Sequence, residues 1–248
     1  MQPSNTLLQR LANARLVVVF TGAGVSAESG ISTFRSPDGL WAKFSPQELA
    51  NVDAFLRNPQ LVWEWYQARR QAMTQAQPNA GHRAIAALET LIPKVVVITQ
   101  NIDGLHARAG SGDVIELHGS ALRNFCIQCR RRYDDPALLT LQEVQQCQCG
   151  GFIRPDVVWF GEMLPADAVE RAWQLAAEAT VLFSVGTSSL VWPAAELPFV
   201  ALENGGYVVE INTETTPLTP KAHEHLPFPS GAVLPEIVGM LRTMKEEG

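Results

Sequence analysis

Leu16-Val17-Val18-Val19-Phe20-Thr21-Gly22-Ala23-Gly24-Val25-Ser26-Ala27 is the stretch that decides the fold. Its first five residues, LVVVF, form a short β-branched run of the kind that fills a strand buried on both faces. Directly after it, Gly22, Gly24 and Ala27 fit G-x-G-x-x-A between a strand end and a predicted helix. Glycines there permit a tight turn and let backbone amides approach a pyrophosphate, and a helix start favours the anion. The other reading is a purely structural glycine turn. The acid that usually binds a ribose about 20 residues further on has no counterpart around Leu40 to Phe44. NAD is therefore a candidate ligand, but the arrangement is not that of an ordinary dehydrogenase.

Outward from this stretch the same kind of run recurs at Val95–Thr99, Val114–Leu117, Val181–Val185 and Tyr207–Ile211. Between the runs, Ala80–Leu91, Ala166–Ala179 and Leu234–Met244 carry apolar residues at helical spacing. The alternation predicts an α/β fold, a Rossmann-type doubly wound parallel sheet with right-handed crossovers. Two stretches interrupt it: Phe44 to Pro78, aromatic-rich and mostly helical, and Cys126 to Gly151, which holds all four cysteines. Both read as insertions forming a smaller zinc-binding and helical module. The expected division is a large domain of residues 1–43, 79–120 and 155–248, and a small module of residues 44–78 and 121–154.

With 248 residues the chain can bury a sizeable core without disulfides. A net charge of -6 argues against a surface that wraps nucleic acid. The run Arg130–Arg132 reads as a solvated surface. No segment has the length and apolarity of a membrane span or signal peptide, so a soluble, cytoplasmic protein with reduced thiols is expected. In that setting Cys126-x-x-Cys129, seventeen intervening residues and Cys147-x-Cys149 read as four thiolate ligands of a structural zinc ion. The second pair is one residue shorter than the common C-x-x-C, and Gly150 and Gly151 supply the flexibility to close it.

Two polar clusters follow strand ends, where open parallel sheets bind ligands. Gln100-Asn101-Ile102-Asp103 can hydrogen-bond a ribose or a carboxamide, or can simply be an Asn/Asp turn capping the next helix. His118-Gly119-Ser120 places an imidazole at the end of Val114–Leu117, where it can act as a general base. His106 is its rival. His82 falls in a predicted helix, and His223 and His225 in a polar loop. The loop from Glu28 to Trp41 is long and rich in small residues; Thr33, Phe34, Arg35 and Trp41 suit a flap that closes over a ligand.

The ordered series GAGVSAESGIS-TFR, TQNIDGLH, ELHGS, the four cysteines, PDVVWFGE, GTSSLVWPAAELP and INTE spans nearly the whole chain and resembles the sirtuins, the NAD-dependent protein lysine deacylases. The resemblance implies a cleft between the large domain and the small module that holds NAD and an acyl-lysine peptide. It implies that Gly22, Ala23, Gly24, Ala27, Thr33, Phe34, Arg35 and Trp41 belong to a cofactor loop. Gln100, Asn101, Ile102 and Asp103 would hold the nicotinamide ribose and carboxamide, with Asn101 and Asp103 also taking part in catalysis. Gly186, Thr187, Ser188, Asn212, Thr213, Glu214 and Ser230 would face the adenosine side. His118 would be the catalytic base, in preference to His106. The acyl oxygen would attack the ribose C1′ as nicotinamide leaves, and free lysine and O-acyl-ADP-ribose would follow. Val157, Val158, Trp159 and Phe160 would meet the peptide as an added strand.

Tyr66 and Arg69, three apart on a predicted helix, share one face. A guanidinium beside a phenol can hold the terminal carboxylate of a succinyl or malonyl group, and Tyr-x-x-Arg here is similar to the sirtuin class that favours acidic acyl groups. An amphipathic helix with exposed arginines is the other reading, and Arg70 competes for the role. Ser32, where the family commonly has proline, and Ser36-Pro37-Asp38 depart from that class. Transfer of ADP-ribose to a protein, and a non-catalytic NAD or ADP-ribose sensor, are the alternatives to deacylation; neither a nucleic-acid partner nor a membrane is expected.

Overall fold

The computed structural model of the chain describes residues 3–33 and 49–247. Six short strands build one sheet: β1 (Val17–Thr21), β2 (Val95–Thr99), β3 (Val114–Glu116), β7 (Val181–Val185), β8 (Tyr207–Ile211) and β9 (Glu224–Leu226). Their order is β3-β2-β1-β7-β8-β9, and every pairing is parallel. Numbered within the sheet, that is 3-2-1-4-5-6, the Rossmann order. Alternation along β1 explains why a continuous apolar run is needed there. Val17 and Val19 point into one core, with the helices Asn5–Ala12, Ala80–Leu88 and Ser230–Glu247, whereas Leu16, Val18 and Phe20 point into the other, with Ala166–Glu178 and Leu197–Glu203. Helices thus cover both faces, as the sequence predicts.

The first insertion is helical where it is described, with Val52–Arg57 and Pro59–Gln75. The second folds around a small antiparallel sheet of β5 (Arg132–Tyr133), β4 (Gly119–Cys126) and β6 (Ile153–Val157), in that order. Neither this sheet nor β9 is foreseen from the sequence. His225, expected in a polar loop, lies in β9. The last helix begins at Ser230, one turn before the expected Leu234, and carries Pro235 in its first turns. Apolar residues of Pro59–Gln75, β4 and β6 share a core of their own, separate from the two beside the large sheet.

Candidate active site

Strand order reverses between β1 and β7, and crevices at such a switch point bind ligands beyond the strands' carboxyl ends. Here Gly22 and Gly24 press against the turn after β7. A Cβ on Gly24 would stand 2.7 Å from the Gly186 Cα, and one on Gly22 would stand 2.8 Å from the Thr187 Cα. The Gly22 amide donates to the Val185 carbonyl at 3.0 Å, and the Gly24 amide to that of Gly186 at 2.8 Å. Those two amides are therefore not available to cradle a pyrophosphate. The glycines serve close backbone packing at the switch point. The helix that follows, Gly24–Ala27, is one turn long, too short to carry a macrodipole of consequence. Ala23 lies between the two glycines, Ala27 is exposed and Thr33 is half-buried. Phe34, Arg35 and Trp41, with Ser36, Pro37 and Asp38, lie outside the described residues.

At the end of β2 the polar side chains converge on that turn. Gln100 Nε2 donates to Thr187 Oγ1 at 2.8 Å, across the switch point. Asn101 Nδ2 donates to the Gly22 carbonyl at 3.0 Å and to Ser26 Oγ at 3.2 Å. Ile102 is buried, and its carbonyl accepts from the Ala121 amide of β4. Asp103 is buried and accepts from the Leu105 amide at 2.9 Å and from Ser26 Oγ at 2.8 Å. Burial raises its carboxyl pKa against the pull of those hydrogen bonds and of Arg108 and Arg69. Ser26 gives its one hydrogen to Asp103, so the His82 Nε2 at 3.4 Å faces it as a donor. His82 Nδ1 in turn accepts from the Asn79 amide. The relay His82–Ser26–Asp103 escapes the sequence reading; the signal for it is Asn79-x-x-His82, a capped helix start that turns the ring back toward the loop.

The two candidate bases differ in access. His106 is 2% exposed. Thr21 Oγ1 gives its hydrogen to Thr99 Oγ1 and accepts from His106 Nε2 at 2.9 Å. Burial, with His82 adding to it, pushes His106 down to about 3. It is a neutral interior histidine. His118 stands between β3 and β4, partly exposed, with Nδ1 3.0 Å from the Gln100 carbonyl. A carbonyl only accepts, so Nδ1 carries the hydrogen and Nε2 keeps its lone pair. Burial lowers this pKa from its ordinary value, opposed by the Gln100 hydrogen bond, and the ring is neutral at pH 7. The turn that presents it needs glycine: Gly119 has φ +73, and a Cβ there would stand 2.1 Å from the Asp156 carbonyl oxygen.

On the far side of the switch point, Thr187 is buried and Ser188 half-buried, and Asn212 Nδ2 donates to the Thr187 carbonyl at 2.8 Å. Thr213 and Glu214 are exposed, in a turn closed by the Glu214 amide on Asn212 Oδ1. Ser230 is buried and donates to Glu28 Oε1 at 3.3 Å, while Glu28 also accepts from the Gly231 amide at 2.9 Å. Its hydroxyl therefore ties the last helix to the glycine loop. Carboxamides, hydroxyls and one buried carboxylate gathered beyond the carboxyl ends of the strands are a donor and acceptor set that suits sugar hydroxyls and a carboxamide.

Tyr66 is 1% exposed, and its phenol oxygen accepts from Trp159 Nε1 at 2.8 Å. Burial raises its pKa, against the charges of Arg69, Arg154 and Arg70 and the Trp159 hydrogen bond. The Arg69 guanidinium lies 4.6 Å over the Trp65 ring and 5.6 Å over that of Tyr66. Arg70 is different: it is fully buried and donates to the carbonyls of Ala121 at 2.6 Å and Leu138 at 3.4 Å and to the Asn124 side chain. Of the two arginines, then, Arg69 is the partly exposed one. The segment Val157–Phe160, expected to meet the peptide, already spends its amides inside the protein. The amides of Val158, Trp159 and Phe160 donate to His118 O, Glu162 Oε2 and Ala50 O, and Val157 pairs with Gly119 in the small sheet. An added strand would have to use carbonyls here or the residues that follow. The Trp159 side chain is buried, whereas Phe160 is 52% exposed.

The cysteine sulfurs lie within 4.8 Å of one another, with Cys126 and Cys149 at 3.5 Å and Cys129 and Cys147 at 3.6 Å. Thiolates about 2.3 Å from a zinc ion at tetrahedral angles stand roughly 3.8 Å apart. The four residues fit that ion, and the shorter C-x-C spacing is accommodated. Four thiolates leave no coordination position for water, so the metal they would hold is structural.

The Sir2 family profile matches residues 22–193, from the glycine loop past β7. The chain belongs to the Sir2 family. Among curated Sir2 relatives, the NAD-dependent protein deacylase of Aquifex aeolicus (strain VF5) is 52% identical over 91% of this chain and 95% of its own. NAD-dependent protein deacylase 1 of Pseudomonas aeruginosa PAO1 is 48% identical over 94% and 96%. Among solved structures, a Sir2 homologue in complex with ADP-ribose superposes with a TM-score of 0.95 at 44% identity, covering 98% of both chains. A Sir2 homologue complex with NAD gives 0.91 at 44% identity, covering 97% of this chain and 94% of that one. A Sir2–p53 peptide–NAD+ complex gives 0.81 at 36% identity, covering 100% and 99%.

Proposed function

We propose that this chain removes acyl groups from lysine side chains of proteins while cleaving NAD to nicotinamide and O-acyl-ADP-ribose, and that it accepts succinyl or malonyl as well as acetyl groups. The observation that carries the reading is the 3.0 Å contact between His118 Nδ1 and the Gln100 carbonyl. With Nδ1–H engaged by the Gln100 carbonyl, Nε2 is a neutral base at the mouth of the crevice beside Gln100 and Asn101. NAD, as co-substrate, supplies a sugar carbon that becomes electrophilic as nicotinamide departs. Asn101 and Asp103 orient groups on that sugar, and His118 Nε2 accepts a hydroxyl proton so that the oxygen can attack. Asn212, Thr187 and Gly186, gathered on the far side of the switch point, would take the adenosine end. The names carried by the relatives favour deacylation over ADP-ribosyl transfer to protein.

For acyl choice, Tyr66 and Arg69 support the acidic preference. The phenol accepts from Trp159, which leaves its own hydrogen free to donate, and the guanidinium is adjacent on the same helix face. Incubation with NAD and acetyl- or succinyl-lysine peptides tests both parts. Nicotinamide should appear only when an acylated peptide is present, and His118→Ala should abolish it. Release in the absence of peptide would overturn deacylation. Arg69→Met should raise KM for the succinyl peptide much more than for the acetyl peptide; equal effects would remove the carboxylate role and leave deacetylation standing.

A further inference from the structure

Three guanidiniums act on the Tyr66 phenol, those of Arg69, Arg154 and Arg70. Two of them have acids to answer them. Arg154 forms a bidentate pair with Glu162 at 2.7 and 2.9 Å. Arg69 and Asp103 attract one another. Arg70 has none: among the described residues no carboxylate forms an ion pair with it. Its partners are all neutral, namely the Ala121 and Leu138 carbonyls, the Gln67 and Asn124 side chains and the face of the Trp63 ring at 4.9 Å. It is also 0% exposed, so solvent does little to screen it. A buried charge without a counterion is costly, and proteins usually pair one. Burial accordingly drags its pKa down to about 10, still leaving it charged at neutral pH. Helix geometry puts this charge where it matters. Arg69 and Arg70 follow Tyr66 by three and four positions, so both lie on the Tyr66 side of Pro59–Gln75.

We propose that Arg70 is a specificity-determining residue, a fixed and uncompensated positive charge beneath the Tyr66–Arg69 pocket that favours acyl groups ending in a carboxylate. The inference rests on the proposal that this pocket receives the acyl tail. Arg69 touches the tail; Arg70 acts on it through the field alone. At an effective dielectric near 20, a unit charge about 10 Å away changes a charged ligand's affinity by about tenfold.

The test compares charge with structure. In Arg70→Gln the ratio of succinyl- to acetyl-peptide kcat/KM should fall about tenfold, with the acetyl value held within roughly threefold. Arg70→Lys, which keeps the charge but not the fork of hydrogen bonds, should hold the ratio near wild type even though its melting temperature drops. If both variants melt early and keep the wild-type ratio, Arg70 is structural only and the proposal is overturned. Should Arg70→Gln not fold, Arg69→Met supplies the second measurement. A succinyl peptide should still outcompete its uncharged succinamoyl isostere in that variant, and equal turnover of the two would overturn the proposal. Wild type that turns over acetyl but no succinyl peptide would defeat the pocket reading itself, a distinguishable result.

Discussion

His118 Nδ1 and the Gln100 carbonyl oxygen stand 3.0 Å apart, a contact in which only the imidazole can donate. The base is therefore Nε2, and it is usable only while the ring is neutral. Burial holds the folded pKa below the ordinary 6.5. Because the protonated ring is the inactive one, kcat/KM for an acyl peptide should be level through neutrality and fall on the acid side, with a midpoint under 6.5. A midpoint above 7 would contradict the desolvated environment. His118→Gln should cost on the order of 10² to 10⁴-fold in rate with an unchanged thermal melt.

His82 and His106 make the fold acid-sensitive. Their rings lie 4.8 Å apart, both buried, and are held down to about 4 and about 3. Above the unfolded value of 6.5 neither state takes up a proton and nothing changes. Below it the unfolded chain binds protons that the folded chain refuses. Stability then falls by roughly 1.4 kcal/mol per pH unit for each ring, until each folded pKa is reached. The urea midpoint should be flat from pH 8 to 6.5 and drop steeply from 6 to 4, and His82→Asn should make that drop shallower. A midpoint unmoved at pH 4.5 would show that these rings protonate in the native state.

Zinc should matter beyond its own loop. Trp63 and Gln67 donate to the Leu141 carbonyl, Gln67 also to that of Leu138, and Gln60 accepts from the Val144 amide. The helix carrying Tyr66 and Arg69 is thereby moored to the segment between the two cysteine pairs. Metal binding and local folding are coupled, so a chelator or Cys149→Ser should speed amide exchange in Pro59–Gln75 as well as in β4 to β6. Exchange confined to Cys126–Gly151 would separate the helix from the metal module.

The large sheet was legible because each of its long strands is a β-branched run buried on both faces, and periodicity reports burial directly. The small sheet was not. Arg132–Tyr133 is two residues long, and β4 mixes Gly, Ser, Arg and Asn in a strand whose longer partner, β6, lies beyond the whole cysteine segment. His118 was legible as a strand-end imidazole, but its preference over His106 came from family resemblance; in the fold the two differ in burial and partners, which no local pattern encodes. The glycine loop was legible as a tight turn after β1, but the partners that its amides take were not. G-x-G-x-x-A looks the same whether its amides face a ligand or, as here, the Gly186 turn. Trp159 and Phe160 are neighbours with opposite fates, one in the core and one exposed, a distinction set by tertiary packing.

Arg154 and Glu162 decide the shape of the turn between them. The guanidinium is 1% exposed, lies 3.3 Å over the Trp159 ring and donates to the Val157 carbonyl at 2.7 Å, while Glu162 Oε2 also accepts from the Trp159 amide at 2.8 Å. Burial would raise the Glu162 pKa, but the hydrogen bonds and charge of Arg154 win and hold it down. This pair fixes Trp159, and with it the hydrogen bond to Tyr66 and the exposed Phe160 proposed to meet the peptide. Breaking one side strands a buried charge, at a cost of about 3 to 5 kcal/mol. Glu162→Ala should therefore lower the melting temperature and raise the peptide KM severalfold, with the NAD KM unchanged. The double variant Arg154→Met/Glu162→Leu removes both charges and should recover much of the stability, yet keep the high peptide KM, because nothing then orders the turn. If stability and peptide KM recover together, the pair contributes only to folding.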